Sequence, residues 1–101
     1  MTTTVQQVAA MPLLRRKRAA RLPTPERRRA IRDEAGVSRE EMARELRARG
    51  VACTEGAIKW WEMPKDEGGF DPRPAKAIPY RRLLEEIAAD TAKVRAAQGQ
   101  T

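Results

Sequence analysis

The sequence predicts one compact all-α domain of four or five helices, and two observations support this fold class. Apolar residues recur at helical spacing in several short stretches, and no stretch alternates apolar and polar residues as a half-buried strand does. Most of these stretches also open on a residue that favours helix starts and close on a glycine or a proline. We expect the helical domain to span residues 24–90, followed by a polar C-terminal tail over residues 91–101.

The first two helices carry the clearest start and stop signals. The first is predicted to begin at Thr24, a good N-cap, and to end at Gly36, where a left-handed backbone is easily adopted. The second opens on Ser38, and Glu41 follows three residues later in a capping-box pattern. Gly50 is predicted to end this second helix.

A third, short helix is predicted after Thr54, and Pro64 should end it. Glycines and prolines predict a loop over residues 64–78, and the last helix is predicted to start near Pro79. The apolar spacing predicts that the following residues are buried: Ile31, Ala43, Leu46, Ile58, Trp61, Tyr80, Leu84 and Ile87.

Positive charge is concentrated at the start of the chain. The net charge is +7, but residues 1–32 alone hold nine Lys or Arg and one acid, whereas residues 33–62 are net −2. Residues 1–23 therefore predict a flexible basic arm whose partner is a polyanion. The cations of this arm are Arg15, Arg16, Lys17, Arg18 and Arg21.

The residue types present exclude most catalytic chemistry. The chain has no histidine and one cysteine, Cys53, so no Ser-His or Cys-His pair and no histidine metal site can be assembled. We expect no enzyme activity, no metal and no cofactor. The single cysteine, expected to be a small filler, suits a reducing compartment, and no long apolar run is present, so a cytoplasmic protein is expected.

Three stretches of the sequence together resemble one known family. They are residues 28–32 (RRAIR), residues 35–43 (AGVSREEMA) and residues 58–62 (IKWWE). In this order they resemble the Xre/Cro, or lambda-repressor-like, helix-turn-helix family, whose members open the second helix with a Gly-hydrophobic-Ser pattern and close the third with Trp-Glu. The resemblance covers about residues 25–88. The connection from Leu46 to Thr54 exceeds the family's usual length by about five residues.

The resemblance implies a bacterial or phage transcription regulator, such as a repressor, that binds double-stranded DNA. Its third helix, about residues 54–62, would enter the major groove, and Ser38, Arg39 and Thr54 stand where family members contact phosphate. The basic arm would contact phosphates or the minor groove. Because Ile58 and Trp61 should be buried, the outward positions of this helix are left to contact bases. These candidate base-contacting residues are Glu55, Gly56, Lys59 and Trp60.

Other interpretations of the same residues stay open. Trp60 cannot share the inward face of Trp61, so it meets DNA, meets a partner protein or packs under the loop that follows. The alternative function is a protein-interaction module, such as an antitoxin or an RNA polymerase adaptor; RNA binding through the arm is a third. The helix from Pro79 has apolar spacing at positions 80, 84, 87, 91 and 94, which predicts a weak homodimer surface.

Overall fold

The computed structural model describes residues 21–99, and this part of the chain folds into helices without any strand. The predicted all-α class is therefore confirmed. Residues 21–99 contain four α-helices, which are α1 (Pro25–Glu34), α2 (Arg39–Ala48), α3 (Glu55–Trp61) and α4 (Pro74–Gln98), and a short 3₁₀ helix (Lys65–Glu67) lies between α3 and α4.

The predicted N-caps of the first three helices are confirmed. The Thr24 hydroxyl accepts a hydrogen bond from the Arg27 backbone N–H at 3.2 Å, and the Thr54 hydroxyl accepts from Ala57 at 3.1 Å. Ser38 and Glu41 form a complete capping box at the start of α2. These side chains supply partners for backbone donors that the first turn of a helix leaves without one.

The long connection between α2 and α3 is fixed to the core. After Gly50, whose φ of 82° closes α2, the side chains of Val51 and Cys53 are 1% and 6% exposed. The Val51 backbone N–H also donates to the Leu46 carbonyl at 2.9 Å. Cys53 is therefore the small buried filler that was predicted, and burial raises the pKa of its thiol.

The predicted start of the last helix is wrong. Helix α4 begins at Pro74 rather than near Pro79, so the predicted loop over residues 64–78 is shorter and contains the 3₁₀ helix. Pro74 suits the first helical position because no backbone donor is needed there. Pro79 lies inside the helix, and its lost hydrogen bond is offset because Ala77, Ile78, Pro79 and Tyr80 are all buried.

The helix α4 continues through Gln98, beyond the main core. With 25 residues it has the length to cross a bilayer. Neither α4 nor any other helix within residues 21–99, however, combines that length with enough apolar character to span a membrane.

The core forms where the four helices meet. The predicted burial of Ile31, Ala43, Leu46, Ile58, Trp61, Tyr80 and Leu84 is confirmed. The rings of Trp61 and Tyr80 pack with centroids 5.0 Å apart. Ile87 was predicted to be buried but is only partly so, because it lies at the edge of the core, where α4 begins to leave the other helices.

Burial of residues in α4 makes the predicted homodimer surface smaller than expected. Tyr80 and Leu84 are 0% and 1% exposed, so they pack inside the domain and cannot form a seam with a second copy. Of the five positions in the predicted series, Ile87, Thr91 and Val94 remain at least partly accessible. The weak homodimer stays a prediction, with this smaller surface.

Replacing Tyr80 with phenylalanine should leave the protein as stable as the wild type or raise its free energy of unfolding by about 1 kcal/mol. The Tyr80 hydroxyl is buried and has no hydrogen-bond partner among the described residues, so it contributes a desolvation penalty without a compensating bond. The ring contact with Trp61 is retained in this variant. Urea unfolding followed by circular dichroism measures the change, and a loss above about 1 kcal/mol would mean that the hydroxyl has a partner.

Candidate nucleic-acid interface

The short helix α3 has one buried and one exposed side. Ile58 and Trp61 are 0% and 3% exposed and attach the helix to the core. The four residues predicted to contact bases are all classed as exposed, so they share the outward side of this helix: Glu55, Gly56, Lys59 and Trp60. Because its inner side packs against the core, this seven-residue helix holds its exposed side chains in a defined orientation.

The two hydroxyl residues predicted to contact phosphate both act as N-caps. Ser38 and Thr54 are exposed at the starts of α2 and α3. Each hydroxyl accepts a hydrogen bond from its own helix, from the Glu41 N–H at 3.0 Å and the Ala57 N–H at 3.1 Å. A hydroxyl that accepts in this way still has its proton to donate, so each can also donate a hydrogen bond to an anion bound at the start of its helix.

The third predicted phosphate contact, Arg39, has a partner inside the protein. Its Nε lies 3.2 Å from Oε1 of Glu62, and its side chain is 31% exposed. Arg39 is the first residue of α2, whereas Glu62 caps the end of α3. This ion pair joins the two helices. If Arg39 contacts phosphate, it does so with a side chain that is already paired with Glu62.

A buried ion pair holds the end of α3 against α1. Arg32 donates to Oε2 of Glu62 at 2.6 Å and to Oε1 at 2.8 Å, and also to the Val37 carbonyl at 2.9 Å. The side chains of Arg32 and Glu62 are 8% and 1% exposed. The hydrogen bond to Glu62 raises the pKa of Arg32. With Arg39 on its other side, the Glu62 carboxylate connects α1, α2 and α3.

Arg28 performs a similar role one turn earlier in α1. Its guanidinium donates at 2.8 Å to the carbonyls of Pro23 and Trp61 and to Oδ1 of Asp71. Arg28 is 3% exposed. It thereby fixes the loop that follows α3 as well as the chain that precedes α1.

This buried role of Arg28 and Arg32 was not predicted, because both residues were counted with the basic charge of residues 1–32. Among the described residues of this stretch, Arg28 and Arg32 are buried and form ion pairs inside the protein. Their spacing of four residues around the buried Ile31 is the signal that could have placed them on the inner side of α1.

The acidic residues of α2 are partly neutralised by arginines. Glu40 pairs with Arg47 at 2.9 Å, and Glu45 pairs with Arg49 at 3.1 Å. Both pairs are on the surface, so each contributes little to stability. Arg47 also donates to the Cys53 carbonyl just before α3, so its pair with Glu40 offsets one of the acidic charges near that helix.

Most of the predicted basic arm cannot be placed in this interface. Arg15, Arg16, Lys17 and Arg18 lie outside the described residues. Arg21 is the first described residue, and it is exposed.

Trp60 makes a contact with the following loop and also reaches solvent. Its ring stacks on Phe70 with centroids 6.4 Å apart and planes inclined by 19°. Trp60 nevertheless stays 42% exposed, and Phe70 is 54% exposed. The loop therefore covers one side of the Trp60 indole, and the other side remains accessible to a partner.

Comparisons with protein-family models, with curated proteins and with solved structures found no match for this chain.

Proposed function

We propose that the chain is a helix-turn-helix protein that binds specific sequences in double-stranded DNA and regulates transcription in a bacterium or a phage. In this proposal α2 and α3 form the helix-turn-helix, and α3 is the recognition helix, as in the Xre/Cro family that the sequence resembles. The observation that supports this proposal best is that α3 has one side packed against the core and one side exposed to solvent. Its inner side is fixed by Ile58, Trp61 and the Glu62 ion pairs, while its outer side is exposed.

The outer side of α3 has the chemistry needed to distinguish bases. Lys59 can donate to the guanine acceptors in the major groove, and Glu55 can accept from a cytosine amino group. Gly56 has no side chain to hold the helix away from the DNA; a Cβ there would meet only its neighbour Thr54, at 3.8 Å. Base recognition needs such groups on a rigid element, because a loosely held helix would lose the geometry that discriminates between bases.

Orientation on the duplex would come from the backbone phosphates. The starts of α2 and α3 carry exposed hydroxyls on Ser38 and Thr54 beside backbone N–H groups of the first turn, an arrangement that favours anions. The basic residues of the predicted arm would supply most of the sequence-independent attraction. Contacts of these two kinds set the position of α3 without reading sequence.

Replacing Lys59 with alanine tests the recognition role directly. On a preferred site obtained by selection from random duplexes, we expect a loss of about 1–3 kcal/mol in binding free energy and relaxed preference at one base position. Fluorescence anisotropy with the preferred site and with its single-base variants measures both effects.

Lys93→Ala is the matched control, since Lys93 is an exposed lysine near the C-terminal end of α4. It should leave the base preference unchanged. Selection that returns no preferred site, or a Lys59→Ala variant that keeps the full preference, would contradict the proposed role of α3.

A further inference from the structure

We propose that the surface between α3 and the start of α4 binds an acidic peptide segment of a partner protein through a large apolar side chain in that segment. This aromatic–basic surface consists of Trp60, Phe70, Pro72, Arg73 and Lys76. It does not depend on the DNA-binding proposal, because it includes none of the residues assigned to phosphate, and of those assigned to bases only Trp60.

Two exposed aromatic side chains form the apolar part of this surface. Within residues 21–99 the large exposed hydrophobic side chains are Trp60, Phe70 and Val94, and the first two are stacked on each other. Contiguous exposed apolar area of this kind marks interaction sites on soluble proteins, and aromatic residues are enriched where partners bind.

The loop that presents Phe70 is held in one conformation. The Pro64 carbonyl accepts hydrogen bonds from the N–H groups of Glu67 and Gly69, both at 3.0 Å. A Cβ at Gly69 would lie 1.8 Å from the Met63 carbonyl oxygen, so only glycine fits there. Because the loop is already ordered, a partner would lose little free energy in fixing the aromatic pair.

A groove beside the pair can receive an apolar side chain. It has a volume of about 330 Å³ and is lined by Ala57, Trp61, Phe70 and Pro72 together with the polar residues Asp71, Arg73 and Lys76. That volume is at the lower end of the range for binding pockets, which suits a side chain rather than a whole small ligand.

The charges around the groove favour an acidic partner. Asp71 is neutralised by Arg28, 2.8 Å away, and by Lys65, 3.2 Å away. Arg73 and Lys76 are exposed, and in the described part of the chain neither forms an ion pair. The charged residues that line the groove are therefore net positive, with Arg73 and Lys76 against the one paired acid Asp71, and such a lining favours carboxylates over a basic segment.

Nucleic acid is the other polyanion that this lining could attract. The apolar lining favours a peptide over duplex DNA, since the phosphate backbone offers no apolar group to fill the groove and protein–DNA interfaces are more polar than this one.

Three labelled peptides of about twelve residues, the length of a short recognition motif, test the proposal. The first has Asp and Glu around one Leu and one Phe, the second has Lys in place of the acids, and the third has Ser in place of Leu and Phe. Binding is measured by anisotropy at low salt, and the indole N–H signals of Trp60 and the buried Trp61 are followed by NMR.

We expect the acidic apolar peptide alone to bind the wild-type protein and to shift the Trp60 signal. Phe70→Ser and Lys76→Glu should each weaken this binding about tenfold, as expected for residues central to an interface. Val94→Ser and Lys93→Glu are the matched controls on the C-terminal part of α4 and should leave it unchanged.

Equal binding of the three peptides, no binding of the acidic apolar peptide, or binding that Phe70→Ser leaves intact would overturn the proposal. Tighter binding of a single-stranded or duplex oligonucleotide that is lost in Phe70→Ser would assign the surface to nucleic acid instead. Both changed residues are exposed, so circular dichroism should show that the variants fold normally.

Discussion

Replacing Glu62 with alanine is expected to lower the free energy of unfolding by about 3–5 kcal/mol, the usual effect of removing one member of a buried ion pair. The variant leaves Arg32 buried without its carboxylate, and it leaves the half-buried Arg39 beside a second cation. For a domain whose total stability is of order 5–15 kcal/mol, this is a large fraction. Urea unfolding followed by circular dichroism measures the change.

Glu67→Ala is the matched control, because Glu67 is an exposed glutamate in the 3₁₀ helix. It should change stability by less than about 0.5 kcal/mol. The double variant Arg32→Met with Glu62→Leu should be less destabilised than Glu62→Ala, since a hydrophobic pair leaves no buried charge. If Glu62→Ala loses less than about 1 kcal/mol, the ion pairs do not hold the three helices together.

Deleting residues 1–21 is expected to weaken binding to all duplex sequences alike. The deletion removes five cations, Arg15, Arg16, Lys17, Arg18 and Arg21, and none of the residues that we assign to bases. If most of these cations release counterions from phosphate, the slope of log affinity against log salt should shrink by roughly 3–4 units, at about 0.9 per phosphate. Anisotropy over a salt series with preferred and random duplexes measures this slope.

A variant that keeps all 101 residues but has these five cations changed to glutamine is the control for chain length. It should show the same smaller slope as the deletion, since the effect is one of charge. A slope that changes by less than about one unit, or a loss confined to the preferred site, would show that the arm does not supply the phosphate contacts.

The parts of the fold that were predicted correctly depend on local signals. Thr24, Ser38 and Thr54 cap their helices through hydrogen bonds to residues three positions away, and such contacts can be inferred from the sequence alone. The outward side of α3 also follows from local spacing once Ile58 and Trp61 are taken as buried.

The features that were missed depend on contacts distant along the chain. Arg32 and Glu62 are 30 positions apart, and nothing near either residue specifies the other. The start of α4 was misplaced for a related reason. Pro72 and Pro74 predict a loop locally, and Pro79 predicts the start of a helix. Burial of Ile78 and Tyr80 against the rest of the domain instead stabilises a helix that already begins at Pro74 and continues through Pro79.

Binding of the 101-residue chain to random and selected duplex DNA, measured by fluorescence anisotropy across a salt series, tests the proposed function most directly. A helix-turn-helix protein with this basic N-terminal segment should bind both duplexes at low salt, lose affinity steeply as salt rises, and retain a preference for the selected site. Absence of binding to either duplex even at the lowest salt concentration would contradict it.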